Sequence, residues 1–271
     1  MRGPVVKIGI PVLNRGDLLT RLLRSIDVEA EVLLIVNRIG EVDAGVEDAV
    51  SEWERNLPEG VRVDVRRIEG NLGVAGSWNR IIGHFGGDCW VANSDIAFAP
   101  GVLSEAMAQI EGRREIVMQH LWAGACFYVT DLFPKVLGWF DENFYPAYHE
   151  DEEMSLRSAR LGVARCDFTN SLRERVMHGG SETLKSAPDA QRQFIQAAQH
   201  LGGVYLERRW GALPASCDLP PEKHSPFDNA ALHPADWTLD REARAHLARR
   251  CEEMTGHACP LVFHRACGGL G

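Results

Sequence analysis

Residues 148–154 of the chain read "YHEDEEM". Four carboxylates, Glu150 to Glu153, follow directly on an aromatic run, "WFDENFYPAY". Such a run does proton chemistry if one acid is held in a pocket, and it is a solvated face if none is. A second candidate lies in "VANSDIAF", residues 91–98, where an apolar strand delivers Asp95 at its end. A carboxylate there either caps the helix expected near Pro100 or ligates a divalent cation that in turn holds a diphosphate. Hard cations take oxygen ligands, and Mg2+ or Mn2+ commonly combines one or two carboxylates with phosphate oxygens. His178, in "RVMHGGSET", reads on its own residues as a satisfied, partly buried histidine. The tail carries His246, Cys251, His257, Cys259, His264 and Cys267. Their spacings lack the paired C-x-x-C arrangement of a zinc site, so a tail packed on the domain is the plainer reading.

These groups need a frame. Val5 to Leu13 reads as a buried strand, apolar and β-branched. Asp17 can cap the helix whose inner face is Leu18, Leu19, Leu22, Leu23 and Ile26, spaced at the helical period. Residues 31–36 form a second buried strand, and Val46, Val50, Trp53 and Leu57 stripe the next helix. Val61, Val63 and Val65 alternate as in a strand. A glycine-rich loop, 69–79, enters a helix with Trp78, Ile81, Ile82 and Phe85 inward, and residues 89–95 are a further strand. This β-α-β-α-β-α-β succession predicts a mostly parallel sheet with helices on both faces. Further on, 115–120, 124–130 and 163–168 read as strands and 149–161 and 189–201 as helices. Residues 211–240, rich in Pro, Asp, His and Asn, read as a wrapping loop, and 240–254 as a last helix. Ligands of open α/β sheets bind outside the carboxyl ends of the strands. Polar residues gather at those ends: Asn14 and Arg15, Asn37, Asn71 and Gly73, then Asn93, Ser94 and Asp95.

The 271 residues fit one large domain or one domain with a tail. Hydrophobic content of 45% and charged content of 25% are those of a globular protein with a substantial core. A net charge of -9 disfavours an extended polyanion such as duplex nucleic acid, whose binding needs clustered Lys and Arg. It is compatible with a small anion held through a metal. Seven cysteines, an odd number set mostly in apolar segments, fit free thiols in a reducing compartment. Neither a secretion signal nor an apolar run of about 18 residues is visible, so a cytoplasmic location is the expectation.

Four segments occur in order: "IGIPVLNRGDLLTRLLRSI", "NLGVAGSWNRII", "NSDIAFAPGVL" and "GWFDENFYPAYHEDEEMSLRSARLG". Together, over about residues 5 to 180, they resemble the inverting glycosyltransferases of the GT-A fold. The resemblance is to the family-two group that includes bacterial rhamnosyl- and galactofuranosyltransferases. It implies an α/β nucleotide-diphospho-sugar transferase fold. Residues 1–100 would be the donor-binding half of one domain, 101–205 the acceptor-binding and catalytic half, and 206–271 a C-terminal extension.

The resemblance also implies roles. Pro11, Val12, Asn14 and Arg15 would lie along the nucleotide, Asn37 near the base, and Asn71, Gly73 and Asn79 in the loop beside it. Asn93, Ser94 and Asp95 fall on the metal motif Asp-x-Asp, with Asn93 in place of its first acid. His178 matches a late metal-ligating histidine that would compensate, and imidazole suits Mn2+ as carboxylate and phosphate suit Mn2+ and Mg2+. Asp151 would be the general base, where the plainer reading is a carboxylate favoured at a helix N-terminus; Glu150 would orient the acceptor or act as a ligand, while Glu152 and Glu153 would be structural or solvated. Trp122 and Gly124 lie where the acceptor pocket forms; an aromatic plane there stacks on a sugar or belongs to the core. The implied reaction moves a sugar from a UDP-, GDP- or dTDP-sugar to a hydroxyl of a glycan, glycolipid or other acceptor, such as a protein or a modified base, with Mn2+ or Mg2+. The alternative is a degenerate module that binds a nucleotide-sugar or glycan without turnover. A nucleotidyltransferase would want a basic glycine-rich loop after the first strand, and a dinucleotide oxidoreductase a G-x-G-x-x-G there. The chain has neither.

Overall fold

The computed structural model describes residues 5–39, 43–122, 124–164 and 166–210. The predicted wrapping loop, last helix and Cys/His-bearing tail lie outside the described residues, and so does nearly all of the proposed extension. The first half runs β1 (Val6–Val12), α1 (Gly16–Arg24), β2 (Ala30–Val36), α2 (Ala44–Arg55), β3 (Val61–Arg67), α3 (Gly73–Phe85), β4 (Cys89–Ala92), β5 (Ile96–Phe98) and α4 (Val102–Ile110). The second runs β6 (Met118–Trp122), β7 (Cys126–Val129), α5 (Phe133–Val136), α6 (Glu150–Arg160), β8 (Cys166–Asp167), α7 (Asn170–Arg173), β9 (Val176–His178), α8 (Glu182–Lys185) and α9 (Asp189–Trp210).

A seven-stranded sheet is ordered β3-β2-β1-β4-β7-β6-β8. The β1-β2, β2-β3 and β1-β4 pairs are parallel, as the alternating pattern predicts. Strand β7 enters antiparallel between β4 and β6, so the second half extends the same sheet. Strand β2 explains the layers. Ala30, Val32, Leu34 and Val36 face a core shared with Leu19, Leu22, Val46, Val50 and Trp53. Leu33 and Ile35 face the opposite core, with Trp78, Ile81, Ile82 and Phe127. Period-two side chains on a doubly covered strand must be apolar on both faces, which is why β1 and β2 read as unbroken hydrophobic runs.

Several boundaries differ from expectation. The run 89–98 is two strands, because Asn93–Asp95 turn the chain out of the sheet; β5 then pairs with β9 in a separate two-stranded ladder. The strand expected at 163–168 shrinks to two residues at the sheet edge, and α9 runs nine residues beyond the expected end at 201. Among the described cysteines, Cys89 and Cys126 are buried free thiols and Cys166 is half-buried and free. No described helix is long and apolar enough to cross a membrane.

Candidate active site

A cleft of about 360 Å³ opens at the carboxyl ends of β1, β2 and β4. Pro11, Val12, Asn37, Asn71, Gly73, Asn93, Ser94, Asp95, Gly124, Glu150, Asp151 and His178 all line it. Segments as far apart in sequence as Pro11 and His178 therefore meet at one rim. Asn14, Arg15, Asn79 and Trp122 are outside that lining. Arg15 instead pairs with Asp17 and, at 3.2 Å, with Glu182. Asn79 ties α3 to the loop before α6: its Nδ2 donates to the Phe140 carbonyl at 2.9 Å, and its Oδ1 accepts the Phe140 N–H at 2.9 Å. That bonding makes Asn79 a brace of the loop before α6.

Asn37 and Asn71, the residues expected beside a nucleotide, use their amides to bind the backbone around them. Asn37 Oδ1 accepts the Leu72 N–H at 2.9 Å, and its Nδ2 donates to Ser77 Oγ at 3.1 Å and to the Val12 carbonyl at 3.3 Å. Its carboxamide thus stitches β1, β2 and the start of α3 together. Asn71 Oδ1 accepts the Gly73 N–H at 2.9 Å, which turns the loop into α3. Gly73 has φ +73, and a Cβ there would stand 2.8 Å from the Pro146 carbonyl oxygen. Only glycine tolerates both conditions.

Asp95, the expected metal carboxylate, is 5% exposed. His178 Nε2 stands 3.5 Å from its Oδ2. Asn93 is not available beside them. Its Oδ1 accepts from Trp78 Nε1 at 3.3 Å, and its Nδ2 donates to the Gly124 carbonyl at 3.4 Å. Among the described residues no group of three or more His, Cys, Asp and Glu is arranged to hold a metal by itself. A carboxylate and an imidazole on an open cleft match the other arrangement, in which substrate phosphates and water complete the shell. The residues therefore fit a divalent cation that binds with a diphosphate.

The four-acid run separates into distinct environments. Tyr148 and His149 both adopt positive φ, +80 and +72, strained for residues with side chains. This kink starts α6 and turns Glu150 and Asp151 into the cleft. His149 anchors the kink: its Nε2 donates to the Gln199 carbonyl of α9 at 2.9 Å, and its Nδ1 lies 2.6 Å from Glu152 Oε2. Tyr205 of α9 donates to Asp141 Oδ2 at 2.6 Å, just ahead. Glu153 is wholly buried and paired with Arg157, which also donates to the Leu137 and Trp139 carbonyls at 2.7 Å. Glu152 is exposed. Both fit the structural or solvated role expected of them.

Glu150 is 6% exposed, and its Oε2 is buried with no hydrogen-bond partner. Burial pushes its carboxyl up to about 8, with a further rise from the adjacent Asp151. Asp151 is half-buried. Burial raises its pKa as well, partly offset by the Glu152 N–H, which donates to Oδ1 at 3.0 Å. Its Oδ2 points at Gly124: a Cβ at that position, where φ is +66, would lie 2.4 Å from it. The glycine makes room for the carboxylate.

Sequence reasoning left out Ser77, Tyr148, Gln191 and Ile195, which also line the cleft. Tyr148 abuts the acidic run and was legible by adjacency. Gln191, 6% exposed, and Ile195 come from α9, whose weakly amphipathic sequence carries no such signal.

No known family matches the chain, and no curated protein sequence does. Solved structures do. The mannosyltransferase PcManGT from Pyrobaculum calidifontis, solved with GDP-Man and Mn2+, superposes with a TM-score of 0.53 at 16% identity, over 75% of this chain and 65% of that one. Two structures of the Drosophila β1,4-galactosyltransferase 7, one with manganese, UDP-Gal and xylobiose and one with xylobiose, give TM-scores of 0.41 and 0.39 at 12% and 13% identity. Each covers 68% of this chain and 75% of the other. The chain thus spans just under two thirds of the mannosyltransferase. At these identities the likeness establishes architecture: the chain has the GT-A fold of nucleotide-diphospho-sugar transferases.

Proposed function

We propose that the chain is a metal-dependent inverting glycosyltransferase that uses a UDP-, GDP- or dTDP-sugar, with Asp151 as general base. The observation that carries this reading is the convergence of Asp95, His178, Glu150 and Asp151 on one cleft at the sheet's rim. The mannosyltransferase of the same fold was solved with GDP-Man and Mn2+, which supports the same ligand class here.

Charge supports the metal. None of the described lining residues is Lys or Arg, while Asp95, Glu150 and Asp151 are acids. A diphosphate entering such a cleft meets carboxylates and no fixed cation. Asp95 and His178 would hold the divalent cation, which when bound neutralises charge on the departing diphosphate. Asp151 takes the proton of an acceptor hydroxyl as that oxygen attacks the anomeric carbon from the face opposite the diphosphate. The configuration inverts, and no covalent sugar–protein bond is needed. A sugar hydroxyl is a poor nucleophile at neutral pH, and a placed carboxylate contributes roughly 10² to 10⁴ in rate. The burial that raises the pKa of Asp151 makes it a stronger base than a solvated aspartate. Glu150, protonated below about pH 8, can donate its hydrogen bond to the acceptor. The acceptor would be a hydroxyl of a glycan, a glycolipid or another molecule.

A thermal-shift screen of UDP-, GDP- and dTDP-sugars with and without Mn2+ tests this. The expected result is a rise of several degrees with one donor, only when Mn2+ is present. Asp151→Asn should keep that shift and lose turnover. Equal shifts without a divalent cation, or full turnover by Asp151→Asn, would refute the mechanism. Donor binding with no turnover under any acceptor would instead favour the binding-module reading.

A further inference from the structure

The structure assigns Trp122 a role through His178. We propose that the Trp122 indole is a positioning residue that presets the His178 imidazole for the cation shared with Asp95. This rests on the metal site proposed above.

The two rings stack with centroids 5.4 Å apart and planes 29° from parallel. They come from strands distant in sequence, β6 and β9, which belong to different sheets. Trp122 is held from behind, because it packs against the main core on the side of α1, α2 and α4. The rigid core therefore sets the plane against which His178 rests. His178 gains a wall on one face while its Nε2 edge is aimed at Asp95 Oδ2, 3.5 Å away.

Two backbone features show how the indole is delivered. The β6-β7 register shifts between His120 and Trp122. A bulge changes which way the following side chain points, and bulges concentrate beside functional sites. The turn that follows closes with the Ala125 N–H donating to the Trp122 carbonyl at 3.1 Å. The same turn carries Gly124 against Asp151, and its Ala125 carbonyl accepts the Asn93 N–H at 2.8 Å. One hairpin tip thus touches the metal histidine, the proposed base and the strand end before Asp95. With its ring occupied by His178, Trp122 meets a sugar less readily than a free aromatic platform would.

Groups that orient a metal ligand typically contribute 10- to 100-fold in metal affinity. The test is Mn2+ affinity, measured by the loss of the free-ion electron paramagnetic resonance signal with UDP or GDP present. Wild type, Trp122→Phe, Trp122→Leu, His178→Ala and the Trp122→Leu/His178→Ala double variant are compared. Trp122→Leu should weaken Mn2+ binding about tenfold or more. Trp122→Phe keeps a ring to stack and should stay within about threefold of wild type. In the His178→Ala background, Trp122→Leu should have no further effect, since it acts only through that ring. Unchanged affinity in Trp122→Leu, or an equal loss with and without His178, overturns the proposal. If wild type binds no Mn2+, the metal site itself falls, a different and distinguishable failure. A readout on the metal-free wild-type chain covers the case in which Trp122→Leu does not fold. The ring protons of His178, assigned by their loss in His178→Ala, should resonate upfield of an unstacked imidazole. Ordinary positions would overturn the stack.

Discussion

Glu150→Gln isolates the electrostatics of the cleft in a single isosteric change. Wild type carries there a carboxyl that is 6% exposed, with an oxygen that finds no hydrogen-bond partner. Its pKa rises from 4.5 to about 8 by burial and, second, by the neighbouring Asp151. Because the folded-state pKa lies above the unfolded one, folding favours the protonated form. The stabilisation is complete below about pH 4.5 and is lost as pH rises through about 8. Full ionisation over that interval corresponds to roughly 5 kcal/mol, an upper limit because water and side chains relax around a buried charge. Roughly half of it is expected to be realised. Glutamine cannot ionise, so the variant escapes this loss. Urea melts of both proteins should give near-equal stability at about pH 5 and a variant more stable by about 2–3 kcal/mol at about pH 9. In thermal melts that difference is a Tm about 5–10 °C higher. A variant no more stable than wild type at the higher pH would mean that Glu150 is solvated or paired, and the buried-acid account of the cleft would be wrong.

Gly124→Ala places a methyl group 2.4 Å from Asp151 Oδ2 at φ +66; with the donor found by screening, kcat should fall about 10²-fold with donor affinity little changed. Arg157→Met strands the buried Glu153 carboxylate and should cost about 3–5 kcal/mol in denaturant melts, most of it recovered by adding Glu153→Leu. Asp95→Asn removes the carboxylate that stands 3.5 Å from His178 Nε2, so the Mn2+-dependent part of the nucleotide thermal shift should vanish while the melt without ligand moves by only a few degrees.

The frame was legible where local pattern and tertiary environment agree. Buried parallel strands must be apolar on both faces, so β1 and β2 stood out as hydrophobic runs. The amphipathic stripe of α1 survives as Leu18, Leu19, Leu22 and Leu23, all buried. What was missed depends on long-range pairing. Strands β5 and β9 are three residues each and exist because they pair with each other; neither has a period long enough to read. Function follows the same division. Asp95 is visible as an acid after a strand, but the saturation of Asn37 and Asn93 by neighbouring groups is a property of the fold alone. The acidic run is the sharpest case. Four adjacent carboxylates look alike in sequence, yet one is solvated, one is locked to Arg157 and two face the cleft, because a helix sends successive side chains about 100° apart.

The spacing of the Asp95–His178 pair is a backbone property. In the β5-β9 ladder Ile96 stands opposite His178, and the Gly179 N–H donates to the Asp95 carbonyl at 2.9 Å, one step beyond. Arg21 of α1 donates to that same carbonyl at 3.1 Å, tying the ladder to the main sheet's helical layer. A slip of one residue in so short a ladder would turn the His178 ring to the other face, so the carboxylate and imidazole meet only in one register. The second anchor is the β6-β7 tip, with Trp122 against His178 and Gly124 against Asp151. Asp95 and His178 are thus set by the register of the β5-β9 ladder, and the β6-β7 tip adds one contact to His178 and one to Asp151. Such preorganisation is what the proposed transfer to a weak hydroxyl nucleophile would require.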